Sequence, residues 1–156
     1  MKSEIKDASL RQAYEQWLQA WRNVDVPLML SLFDGAGSDL IYQSEENKDP
    51  ICTFEGLTNY WNAAREQLHL QVNRWAELER RVSIIESVAT IYAVLDTSIA
   101  AELIAPGDIL GNLRVSIVFR RVGTKWCIFH YHESRQFLVE KDGSTYRFLT
   151  DARLAS

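Results

Sequence analysis

Cysteine is scarce in this sequence. Only Cys52 and Cys127 occur in 156 residues, too few for a disulfide framework, and each sits in an apolar or strand-like run where a small reduced core or sheet residue is expected. Proline, three times, and glycine, seven times, are also sparse, which excludes collagen-like and linker-like chains. Long apolar runs are missing: no 18-residue stretch is apolar throughout, so a membrane-crossing helix is not expected. The charged segment Met1 to Leu10 lacks the apolar centre of a secretion signal, so the expected compartment is the cytoplasm and no membrane partner is expected. Charge of one sign is lacking as well. With 17 Lys and Arg against 21 Asp and Glu, a net of -4 gives no basic field for a polyanion, and nucleic acid is not an expected partner.

What remains is ordinary globular material enriched in large rings. Hydrophobic residues make up 47% and charged residues 24%, with 5 Trp, 6 Tyr and 6 Phe. A chain this long buries roughly 70% of its unfolded surface as one domain, and residues 1–156 show no repeat or linker that would divide it.

Helical periodicity comes first along the chain. Leu10, Tyr14, Trp17, Leu18, Trp21 and Val24 recur at helical spacing behind the capping residues Asp7 to Ser9. Asp25-Val26-Pro27 ends that helix and opens a short second one through Phe33, since proline suits a first helical turn. Leu40-Ile41-Tyr42 and Ile51-Cys52-Thr53-Phe54 read as short strands around the polar loop Ser44 to Pro50. A third helix follows Gly56 and Thr58, burying Leu57, Tyr60, Trp61, Ala64 and Leu68. From about Arg74 the period changes to two. Trp75 to Ile85, Val88 to Ile99, Leu113 to Val122 and Lys125 to Ser134 read as four strands of a meander, although Leu70 to Arg80 also permits helix. A C-terminal hairpin over about 135–150 turns at Asp142-Gly143. Helices followed by a meander predict an α+β domain with helices on one face of an antiparallel sheet.

Trp21-Arg22-Asn23-Val24-Asp25, Leu30-Ser31-Leu32-Phe33, the Gly56-Leu57 helix opening, Arg114 to Arg121 and Lys125 to Ser134, in this order and spacing, resemble the SnoaL-like branch of the nuclear transport factor 2-like superfamily over about residues 10–134. The last strand is also similar to the association domain of calcium/calmodulin-dependent protein kinase. The resemblance implies a cone of curved antiparallel sheet wrapped against three helices, a pocket between them, and a homodimer. It does not imply one activity. Ketosteroid isomerases of this fold carry a Tyr about eight residues ahead of the Asp that ends the first helix, where this chain has Trp17. Their general-base Asp falls on Ile41 or Tyr42, so their chemistry is not carried over.

Regular alternation places Trp126, Ile128, His130, His132 and Ser134 on one face of the last strand, with Cys127, Phe129, Tyr131 and Glu133 on the other. Histidine as a residue type serves as acid or base, and two imidazoles on one face make His130 and His132 the catalytic candidates, against the plainer reading of sheet residues bonded to neighbours or lining a pocket without chemistry. A metal site is not expected, because the only other histidine is His69. Arg114 in an apolar strand needs an anion or a carbonyl as partner, either a substrate carboxylate or a group of the protein such as Asp96 or Glu77. Trp17, Tyr42, Trp61 and Trp126 are the aromatic candidates for a pocket wall. The function expected is therefore binding of a small apolar or aromatic molecule with a possible anionic group, with isomerisation, hydration or dehydration and no cofactor; the alternative is a non-catalytic association domain.

Overall fold

The computed structural model describes residues 1–101, 109–135, 137–139 and 146–148. Helix α1 (Ala8–Asn23) starts where Asp7 accepts a hydrogen bond from the Leu10 N–H at 2.9 Å, which satisfies one of the free amides of the first turn. Its inner stripe is Leu10, Ala13, Tyr14, Trp17, Leu18 and Trp21, all buried. Asp25 caps α2 (Val26–Ser31) with Pro27 in its first turn. The third helix, α3 (Phe54–Glu66), begins earlier than the sequence suggests: Thr53 accepts from the Gly56 N–H and serves as its cap. That capping takes Phe54 out of the expected strand and leaves Ile51 paired with Tyr42 through an isolated bridge.

The five-stranded sheet runs β1 (Ile41–Gln43), β5 (Lys125–Arg135), β4 (Ile109–Val122), β3 (Val88–Ala100), β2 (Gln71–Ile85). Strands β2 to β5 form the expected antiparallel meander, and the doubtful region from Leu70 resolves into strand. The short β1 closes the far edge by pairing in parallel with β5, Tyr42 opposite Tyr131. Inward positions on the central strands are nearly uninterrupted apolar residues: Ala89, Ile91, Ala93 and Leu95 on β3, then Leu113, Val115, Ile117 and Phe119 on β4. Helix α1 lies across this face, where Trp17 meets Trp75 of β2 and Tyr131 of β5. Burial of these large rings is the main stabilising term, at about 25 cal/mol per Å² of apolar surface.

One irregularity in β5 decides which of its residues turn inward. Val118 pairs with His130 but Phe119 pairs with Ile128, so Phe129 is an extra residue in β5, a bulge. Inward facing passes from Trp126 and Ile128 to Tyr131, Glu133 and Arg135. Regular alternation, which would have kept His130 and His132 beside Trp126 on one face, therefore fails at Phe129. The C-terminal segments β6 (Phe137–Val139) and β7 (Tyr146–Phe148) pair antiparallel, as a hairpin requires; its expected turn at Asp142-Gly143 lies outside the described residues. So does the expected β3–β4 loop at Ala105 to Asp108.

Candidate functional site

The inner face of β5 past the bulge carries the unusual chemistry. Glu133 is 5% exposed and Arg135 3%, and buried charges of this kind demand partners. Tyr131 donates its hydroxyl to Glu133 Oε2 at 2.5 Å. Desolvation dominates the Glu133 carboxyl and, with the nearby Glu46 and Glu45 charges, outweighs the hydrogen bonds from Tyr131 and the Glu45 backbone; its pKa is pushed up to about 8. Near neutral pH it is therefore a protonated acid held among rings.

Two residues on, Arg135 donates from Nε to Glu45 at 2.6 Å and from Nη1 to Thr97 Oγ1 at 2.8 Å and the Gly111 carbonyl at 3.2 Å. Its Nη2 is buried with no hydrogen-bond partner among the described residues. Glu133, Arg135, Glu45, Ser44, Gln43 and the sheet residues His132 and Ser134 line an open cleft of about 260 Å³, where the chain leaves β1 beside the end of β5.

Behind the cleft the aromatic residues close into a ring of contacts. Trp17 meets Trp75 (5.9 Å between centroids), Trp75 stacks on Trp21 (4.4 Å), and Trp21 meets Trp61 (4.8 Å). Trp61 meets Tyr42 (6.3 Å), Tyr42 stacks on Tyr131 (4.8 Å), and Tyr131 returns to Trp17 (6.1 Å). The indole N–H groups of Trp17, Trp21, Trp61 and Trp75 and the Tyr42 hydroxyl are buried without hydrogen-bond partners among the described residues. Each can donate, and leaving such a group unpaired costs about 1–3 kcal/mol. Burial raises the Tyr42, Tyr60 and Tyr131 hydroxyls well above their ordinary pKa, so they remain donors. Tyr60 donates to Glu46 at the loop edge of this group.

The residues singled out from sequence fall in three places. Trp17, Tyr42 and Trp61 belong to the buried aromatic ring. Trp126 is buried at the opposite end of β5, its indole donating to Asp7 at 3.3 Å beneath the Arg121 guanidinium. His130, His132 and Arg114 do not join the inner group: His132 and Arg114 are exposed, His130 is half-buried, and the bulge turns this row outward. Arg114 donates to the Arg135 carbonyl at 3.1 Å, while Asp96 pairs with Arg74, and Glu77 accepts from Tyr14 at 2.6 Å. Cys52 is exposed between β1 and α3 rather than packed in a sheet. Sequence reading overlooked Glu133 and Arg135 as a pair. The usable signal was the i, i+2, i+4 series Tyr131, Glu133, Arg135, a phenol, an acid and a base on one strand face. Among the described residues no three His, Cys, Asp or Glu side chains gather as a metal site, and no helix is long and apolar enough to cross a membrane.

The sequence profile of the SnoaL-like domain matches residues 10–140. An NTF2-like (nuclear transport factor 2-like) protein of unknown function from Pseudomonas putida KT2440 is similar in structure, with a TM-score of 0.72 and 18% identity over 97% of this chain and 99% of that one. A candidate calcium/calmodulin-dependent kinase II association domain from Exiguobacterium sibiricum gives a TM-score of 0.66 at 11% identity, over 86% of this chain and 95% of the other. A candidate ketosteroid isomerase from Parabacteroides distasonis gives 0.62 at 19%, over 86% and 93%. Comparison with curated proteins returns no match. At these identities the structural likenesses establish the fold, a nuclear transport factor 2-like cone of curved sheet and N-terminal helices.

Proposed function

From the premise that this chain belongs to the SnoaL-like domain family, we propose that it binds an apolar or aromatic small molecule in the cone and exchanges a proton with it, without a cofactor, through Glu133. The observation that carries this reading is the buried Glu133 carboxyl, its pKa raised by burial, on the same strand face as Arg135, whose Nη2 has no partner among the described residues, at the edge of an aromatic interior. A neutral acid with a pKa near the working pH both donates readily and is reprotonated readily. Tyr131 fixes its orientation, Tyr42 offers a second donor, and the rings exclude water, which strengthens each of these bonds. Such an arrangement suits isomerisation, hydration or dehydration next to a carbonyl: Glu133 protonates or hydrogen-bonds the oxygen on the side walled by the rings, while a carbon-bound proton leaves to water on the open side of the cleft. His130 and His132, turned to the outer side of β5, take no part in this scheme.

The test is deuterium incorporation next to the carbonyl of aryl methyl ketones (phenyl, naphthyl, biphenyl) in D2O, followed by NMR. We expect the protein to accelerate exchange, the rate to fall as pH rises through about 8, and Glu133→Gln to remove both the acceleration and that pH step. An unaltered rate in Glu133→Gln, or a step that survives the substitution, would overturn the assignment of Glu133.

A further inference from the structure

Arg135 holds a full positive charge, yet the surroundings cancel it. Its Nε is 2.6 Å from Glu45, whose side chain is 21% exposed against 3% for the arginine. Glu46 and Glu133 stand nearby, close enough that both Glu45 and Glu46 raise the Glu133 carboxyl. The cleft lining sets Arg135 directly against Glu45, and Glu46 adds a second negative charge close behind it. A carboxylate ligand entering here meets a guanidinium already paired with Glu45 and the like charge of Glu45 itself, with that of Glu46 beyond, an arrangement that low-dielectric surroundings penalise. An uncharged oxygen meets no such penalty. It needs only a donor, and Arg135, a lining residue of the cleft, has one to give when a ligand displaces the atoms that cover it: Nη2 is buried and has no partner among the described residues.

We propose that Glu45 sets the charge of the ligand: by pairing with Arg135 it leaves Nη2 for an uncharged carbonyl oxygen, as in a ketone, ester or amide, and turns carboxylates away. This rests on the reading of the cleft as a small-molecule site and adds to it the ligand class and the residue that selects it. Glu45 is a specificity-determining residue here and takes no proton. Removing its charge releases the field of Arg135, and the same cleft then favours anions.

The experiment compares matched ligands, 2-acetylnaphthalene and 2-naphthoate, by quenching of tryptophan fluorescence in the wild type and in Glu45→Gln. Glutamine at position 45 keeps an oxygen that can accept from Arg135 Nε, so the variant is expected to fold, which circular dichroism checks. The wild type should bind the ketone at least about tenfold more tightly than the carboxylate, and Glu45→Gln should shrink that ratio by about tenfold or invert it. A wild type that prefers the carboxylate, or a ratio untouched by Glu45→Gln, overturns the selectivity role while leaving small-molecule binding standing. Failure of both ligands to bind either protein overturns the underlying site and this inference with it. As a check on the anchor itself, the infrared carbonyl band of bound 2-acetylnaphthalene should shift to lower frequency in the wild type and return toward its solution position in Arg135→Gln; a shift retained in folded Arg135→Gln removes Arg135 as the donor.

Discussion

At the scale of single residues, the fold holds groups of the site in forms that water would not favour at neutral pH. Glu133 is the clearest. A carboxyl of ordinary pKa 4.5 in the unfolded chain is raised to about 8 in the fold, so between those values the unfolded state is ionised while the folded state keeps its proton. Stability must then fall as pH rises from about 4.5 to 8, by at most about 1.4 kcal/mol per pH unit, and level off above. Glutamine keeps the shape and cannot ionise. Glu133→Gln is expected to be more stable than the wild type at pH 7, with the gain absent near pH 4 and fully developed above pH 8, as read from denaturant midpoints at several pH values. No gain at pH 7 would mean that the carboxyl is ionised in the fold. Asp7 has the opposite sign: bonds from Ser9 and the Leu10 N–H hold its carboxyl well below the usual range, so its contribution is present above about pH 4 and is lost as pH falls below it.

At the scale of elements, much of the architecture was legible and one residue decided what was not. Trp17 and Trp21 announce the buried stripe of α1 by spacing alone, and the change of period near Arg74 announces the meander, because burial on one face imposes 3.6 on a helix and 2 on a strand. The parallel β1–β5 pairing is not written locally, since it joins residues about 90 apart through backbone groups common to every residue type. The bulge at Phe129 is equally silent: an inserted residue changes the facing of all that follow, and no glycine or proline marks it. Its setting does have a physical cause. Arg120 lies over the Phe129 ring at 4.6 Å and is held by Asp34 at 2.8 Å and Asp39 at 2.6 Å, which ties the α2–β1 loop to the strand at this point. Deleting Phe129 should remove the bulge, since Ile128 and His130 then alternate regularly opposite Phe119 and Val118, and should leave Tyr131, Glu133 and Arg135 inside and the histidines outside; the expected loss is that of the Arg120 contact with the ring, about 1 kcal/mol. Phe129→Ala keeps the residue count and loses mainly a cation–ring contact, of order 1 kcal/mol. Denaturation of the two variants is expected to show similar losses; a much larger loss on deletion would show that the bulge itself, and not only the ring, holds the end of β5 in place.

At the scale of the whole molecule, the same sheet has a packed inner side and an outer side that is polar and half-open. Tyr92, Val94, Ser116, Val118 and His130 are half-buried there beside exposed Arg114 and His132, a mixture typical of surfaces that meet another protein as well as of those that meet water. A homodimer through this side would cover the outward row of β5 and leave the route to Glu133 and Arg135 at the β1 edge. The two functions would then be separable by mutation. Light scattering is expected to give twice the 18.0 kDa chain mass, and Val94→Glu, which places a charge in the centre of that side, should return the mass to one chain while leaving ketone binding within a factor of about two. A dimer unaffected by Val94→Glu would assign its interface elsewhere, whereas a stable ring larger than a dimer would favour an association domain, because closed rings need two different surfaces per chain and a dimer needs only one.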